Sequence, residues 1–222
     1  MPKYPPPRLI LPLIAATFLV TLVELGVLSV AFEKLGLSTH SAYLLFLVTL
    51  AGSPINLPLF SLKAGEPPPP ESLPAPMRDL LASQRMQFTG RTIVAVNAGG
   101  CVTPVAFSLY LLAHNPVDLW DAAIAVAVVA AASYFTSFSV PGIGIVIPAL
   151  VAPLVSALMA VLLDPGQRAV LAYVGGTLGV VIGADLLRLK DLRNTWAPVA
   201  SIGGAGTFDG IFLAGILAVL LA

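Results

Sequence analysis

Charge is what this chain has least of. Only 10% of its 222 residues are Asp, Glu, Lys or Arg, while 58% are hydrophobic; an ordinary soluble domain carries about 25% charged residues. So few charges cannot clothe a water-facing surface. The 11 basic residues balance 11 acidic ones, so no net field draws the chain to nucleic acid, and no nucleic acid is expected as a partner. Cysteine is nearly absent: Cys101 stands alone inside an apolar run, which excludes a disulfide framework and a cysteine metal site. The two histidines, His40 and His114, sit at the ends of apolar runs outside any HExxH pattern, and no metal centre or other cofactor is expected. Paired acidic motifs of the kind that hold metal for lipid-phosphate chemistry are missing too.

What the sequence does have is long apolar runs. A spanning helix needs about 20 mostly apolar residues, and on that rule spans fall at 9–32, 41–62, 92–113, 119–140, 143–163, 168–189 and 199–222. The run at 9–32 follows Lys3 and Arg8 and ends on the small residues Ser29 and Ala31, as a cleaved leader would. Glu24 interrupts it, and it reads as a span. Between the fourth and fifth runs, Pro141, Gly142 and Gly144 break the stretch, so a re-entrant segment and six crossings are the alternative there.

Lys and Arg concentrate in cytoplasmic loops, which tests the count. With the N-terminus inside, seven crossings place Lys3, Arg8, Lys63, Arg78, Arg85, Arg91, Arg188, Lys190 and Arg193 in the cytoplasm and leave only Lys34 and Arg168 outside. Six crossings would move Arg188, Lys190 and Arg193 outside and erase that bias. The expected fold is therefore an all-α polytopic transmembrane bundle of about seven spans. Its N-terminus is cytoplasmic, its C-terminus outside, some of its segments broken or re-entrant, and its partner is the lipid bilayer of the inner (plasma) membrane. Residues 63–91 interrupt this single transmembrane domain. Their proline-rich start, KAGEPPPPESLPAP, reads as an extended cytoplasmic linker. In the following MRDLLASQRMQF, Met77, Leu80, Leu81 and Phe88 fall near helical spacing, which leaves an interfacial helix and an ordinary loop both open.

Ionisable groups inside spans cost several kcal/mol each unless paired or hydrated, so each is a functional candidate. Asp185 lies about one turn before Arg188, and Asp209 lies early in the last span; in this topology both belong to the cytoplasmic half, where short-loop neighbours could bring them together. Asn56, Asn97 and the Pro141–Gly144 break share that depth, as do Gly99, Gly100, Gly203, Gly204 and Gly206. A hydrated pocket open to the cytoplasm would partner these groups and tolerate broken backbone. Thr207 and Pro148 join the candidate lining, and Glu24, in the outer half of the first span, is a candidate proton-path residue. The bland readings are specific as well. Gly175, Gly176 and Gly179 fit close helix packing; Asn56 and Asn97 fit interhelical hydrogen bonds; Asp209 fits a helix N-terminus; Asp185 fits a pair with Arg188; and Glu24 fits a buried hydrogen-bonded acid.

At VNAGGCVTPVAFSLYLL, GGTLGVVIGADLLRL and SIGGAGTFDGIFLAGILAVLLA the chain resembles domain-of-unknown-function family 1614, uncharacterised prokaryotic multi-pass membrane proteins, over most of its length. That resemblance implies no activity. A more distant likeness is to the intramembrane aspartyl proteases of the presenilin and prepilin peptidase class, and it implies catalytic roles for Asp185 and Asp209. The GxGD pattern of that class is altered here, since Thr207 and Phe208 separate Gly204–Gly206 from the aspartate, and the Pro148–Leu150 PAL triplet precedes both aspartates.

Two functions follow as expectations. In an intramembrane hydrolase, the two carboxylates share a proton, one activating water and the other protonating the scissile group of a membrane-embedded peptide. In a transporter or channel, the same carboxylates handle a proton or small cation, with Glu24 continuing the path outward. The chain is short for a two-repeat transporter and has no convincing internal repeat, so a transporter reading calls for a homo-oligomer. A structural subunit of a membrane complex is the remaining expectation.

Overall fold

The computed structural model describes residues 26, 28–65, 90–141, 144–204 and 210–222. Its helices are α1 (Leu28–Lys34), α2 (Thr39–Gly52), α3 (Thr103–His114), α4 (Leu119–Thr136), α5 (Val151–Leu163), α6 (Arg168–Val180) and α7 (Gly210–Leu221). A π-helical turn, Ala98–Val102, leads into α3; a second, Val181–Leu186, extends α6; and a 3-10 helix follows at Leu189–Asn194. The strands are β1 (Asn56–Lys63), β2 (Arg91–Asn97), β3 (Phe138–Val140), β4 (Gly144–Val146) and β5 (Val199–Ile202).

The structure is mostly helical, but it is not all-α. Residues 41–62 form α2 and then turn into β1, and residues 92–113 begin as β2 before becoming α3. Pro54 explains the first switch, because proline lacks an N–H for the helix ladder and its ring clashes with the preceding turn. The second follows from the β-branched run Thr92, Ile93, Val94 and Val96, which favours a pleated strand. An apolar strand and an apolar helix look alike in a hydropathy window, so each run reads as one span in sequence. The other breaks have the same form: β3 and β4 make a small hairpin on either side of residues 142–143, and β5 occupies the start of the expected last span.

Two helices are long and apolar enough to cross a membrane: Leu119–Thr136, and Arg168–Leu186 with its π-turn included. A third qualifies if α1 and α2, which meet at a bend of 119°, form one broken span. The linker at 66–89, with Met77, Leu80, Leu81 and Phe88, lies outside the described residues, as does nearly all of the expected first span.

α6 forms the axis of the bundle. Every residue from Val170 to Thr177 is buried, against α3, α4, α5 and α7. Its glycines admit these neighbours: a methyl group on Gly175 would lie 2.6 Å from Ser156 Oγ, one on Gly176 3.1 Å from the Ala214 carbonyl oxygen, and one on Gly179 2.5 Å from Val129 Cγ1. The packing role read from sequence for these three glycines is the one they have, and close backbone approach is how helices gain dispersion contacts where no water drives association. The outward faces are apolar, with Trp120 78% exposed, Phe135 79% and Leu162 66%.

The helices alternate in direction. At one end, Lys34, Asn115, Arg168 and Ala222 border a common pocket, so the C-terminal ends of α1, α3 and α7 meet the start of α6. At the other end, the Arg188 guanidinium donates from Nε and Nη2 to the Tyr134 carbonyl oxygen near the end of α4, at 3.0 and 2.8 Å. The three-stranded sheet belongs to this second end. β2 is its centre, antiparallel to β1 and parallel to β5. β1 lies at its edge, where Pro58 and a bulge before Phe60 are tolerated.

Candidate functional site

Three segments switch between helix and strand at one place. α2 gives way to β1 across Ser53–Ile55, β2 gives way to the π-turn at Asn97, and β5 ends at Ile202 ahead of α7. Each switch interrupts a backbone ladder, so the groups released there need side-chain partners.

Asn97 supplies most of them. The last residue of β2 and 1% exposed, it accepts from the Gly100 N–H at 2.7 Å and thereby caps the π-turn. Its Nδ2 donates to the Ser53 carbonyl oxygen at 2.6 Å and to Asn56 Oδ1 at 3.0 Å. Asn56 Oδ1 also accepts from the Ser201 hydroxyl at 2.6 Å. Register explains the cluster: Asn56 pairs with Asn97, and Ser201 of β5 pairs with Ala95, two residues earlier on the same face of β2. Alternation of side chains across a pleated sheet then places all three polar groups on one side.

The backbone is close-packed around them. A methyl group on Gly52 would approach Gly99 N at 2.7 Å, and one on Gly203 would meet Cys101 Cβ at 2.6 Å. Gly203 has φ +85° and Gly204 φ +88°, a left-handed conformation open to glycine, and the Gly204 N–H donates back to the Ser201 carbonyl oxygen at 3.2 Å.

The structure thus brings together Asn56, Asn97, Gly99, Gly100, Gly203 and Gly204. The asparagines meet as strand partners and a helix cap, and not across two helices. Pro148 is elsewhere, exposed between β4 and α5, with its carbonyl oxygen accepting from the Val151 N–H. Asp185 is partly buried in the second π-turn, which packs against α4 and β4. Arg188 does not take Asp185 as its ion-pair partner; it pairs with Asp191 at 3.0 Å and lies over the Tyr134 ring at 4.9 Å. Asp209, Gly206, Thr207 and Glu24 lie outside the described residues.

The sequence reading missed Ser53 and Ser201, small hydroxyl residues that carry no signal until the strands are paired. It also missed Tyr173 and Thr177. Both are fully buried on α6, one helical turn apart, and both border Gly215 of α7. Among the described residues no group of three or more His, Cys, Asp or Glu is placed to hold a metal ion.

No curated protein and no solved structure matches the chain significantly. One family model does, with the description "protein of unknown function" (DUF1614), and it spans residues 50–221, from the end of α2 through the polar junction to α7. The chain belongs to that family.

Proposed function

We propose that this protein is a multi-pass inner-membrane protein of seven crossings, with its N-terminus inside, whose polar junction passes a proton or small cation. Two features support the membrane topology. The outward side chains are large and apolar in a way a water-facing surface would not sustain. Lys34 and Arg168, the two basic residues assigned outside, border one pocket at one end, whereas Arg188 and the strand ends at Lys63 and Arg91 belong to the other.

The observation that carries the transport reading is the Asn56–Asn97–Ser201 junction itself. Broken helices with oriented amides, hydroxyls and carbonyls are how transporters present ligands to small ions at membrane depth. Asp185, partly buried in the second π-turn at the same end of the bundle, is the carboxylate this reading assigns to proton uptake.

A second reading keeps the aspartyl chemistry. If Asp209 meets Asp185, a shared proton would equip the pair to hydrolyse a membrane-embedded peptide. The order of elements favours it to this extent: Asp209 directly precedes α7, which starts beside the junction.

Reconstitution separates the two. Wild type, Asp185→Asn and Asp209→Asn proteins are placed in liposomes, and pH-gradient-driven flux is measured alongside cleavage of transmembrane peptides. Flux in the wild type that falls at least about tenfold in Asp185→Asn, with no cleavage, supports transport. Cleavage lost in both variants, without flux, replaces it with the hydrolase; neither activity removes both.

A further inference from the structure

The pocket at the end of the bundle opposite the sheet has a volume of about 320 Å³; its polar side chains are Lys34, Asn115, Gln167 and Arg168, and Ala222 also borders it with its main-chain carboxyl group. Two cations and two amide side chains around one cavity form an unusual lining in a chain so poor in charge. None of its bordering residues is Asp or Glu. Of the carboxylates nearest in sequence, Glu33 beside Lys34 is exposed and does not border the cavity, and Asp164 turns Oδ1 onto the Gly166 and Gln167 N–H groups of its own loop, at 3.0 Å each. We infer that this cavity is a binding site for a phosphate-type oxyanion, either the headgroup of an anionic lipid or a free anion.

The two cations have different commitments. The Lys34 ammonium donates to the carbonyl oxygens of Val219 and Leu220 at 3.2 and 3.3 Å, holding the end of α7. An ammonium has three N–H donors, so one remains for a ligand. Arg168 is exposed, and its guanidinium has no hydrogen bond or ion pair among the described residues. Its planar fork matches two oxygens of a phosphate. A solvated arginine and a lysine that only caps α7 would need no cavity between them. The volume is within the range that holds a small ligand, about 300 to 1,000 Å³.

The site does not depend on the transport reading, and its test needs no flux. The full chain is purified in detergent and titrated with inorganic phosphate by calorimetry. In parallel, phosphatidylglycerol retention relative to phosphatidylcholine is measured by native mass spectrometry. Arg168→Gln is the main variant, because it breaks no bond among the described residues; Arg168→Lys is the conservative control, and thermal melting verifies that each is folded. Arg168→Gln is expected to weaken binding about tenfold and Arg168→Lys to restore part of it. Loss of phosphatidylglycerol selectivity identifies a lipid headgroup as the ligand, and loss of phosphate binding identifies a free anion. A wild-type protein that binds phosphate no better than buffer and prefers neither lipid overturns the inference, as does an Arg168→Gln variant that binds like wild type.

Discussion

Asn97 Nδ2 lies 3.0 Å from Asn56 Oδ1, and through that bond the end of β2 is tied to the start of β1 at the level where α2, the π-turn into α3, and the end of β5 converge. The same amide group reaches the Ser53 carbonyl oxygen and the Gly100 N–H. One side chain therefore satisfies backbone groups on both segments that switch from one secondary structure to the other.

Asn97→Ala removes three hydrogen bonds and leaves buried polar groups behind. At about 0.6 to 1.7 kcal/mol per side-chain bond in a membrane protein, three bonds give an expected loss of about 2 to 5 kcal/mol. Chemical or thermal unfolding in detergent reads it directly. Asn97→Asp keeps the acceptor for Gly100 N–H but sets a buried carboxylate against the two oxygens that accept from Nδ2, so it should lose at least as much as alanine does; an alanine variant as stable as the wild type would show that the junction is not held by this residue.

Gly179 and Val129 form a steric pair across α6 and α4. A methyl group on Gly179 would come within 2.5 Å of Val129 Cγ1, so Gly179→Ala is expected to cost about 1 to 3 kcal/mol by overpacking. Adding Val129→Ala should recover part of that loss, because the clashing atoms are gone. Equal losses in the single and double variants would contradict this packing.

Arg188 ties the end of α4 to the 3-10 helix. Arg188→Gln gives up two bonds to the Tyr134 carbonyl oxygen and the ion pair with Asp191. Since these groups are partly exposed, the expected cost is modest, about 1 kcal/mol, read as a lower melting temperature in detergent. Arg188→Lys should recover only part, because an ammonium cannot match the fork.

Sidedness is open to direct measurement. Cys101 is buried and should stay unlabelled, so cysteines placed at the exposed positions Pro116 and Asn194 report on opposite ends. Membrane-impermeant maleimide applied to intact cells should label Pro116→Cys but reach Asn194→Cys only in inverted vesicles. Labelling of both from the same side would end the seven-crossing topology.

A good deal of the site was legible in advance, and the reasons are local. Asn56 and Asn97 stand out as amides in apolar runs, and Gly99, Gly100, Gly203 and Gly204 mark places where a regular helix cannot continue. Their common depth followed from alternating direction along the chain. Ser201 could not be found this way, because its role depends on β5 lying parallel to β2, an arrangement that joins segments about a hundred residues apart. Arg188 turns to the Tyr134 carbonyl oxygen and to Asp191, partners that sequence spacing alone does not single out.

By itself the sequence determined that the chain is too apolar for an ordinary soluble surface and where its apolar runs begin and end, since composition and run length act through the cost of exposing hydrocarbon to water. It also determined the glycine stripe of α6, because only hydrogen fits where backbones touch. The tertiary structure decided that the strand-prone halves of those runs pair with one another as a sheet. An apolar strand is stable only once a partner takes its N–H and C=O groups, and β2 finds partners in β1 on one side and β5 on the other. That pairing made a shared polar junction out of asparagines that a linear reading could only place at a common depth.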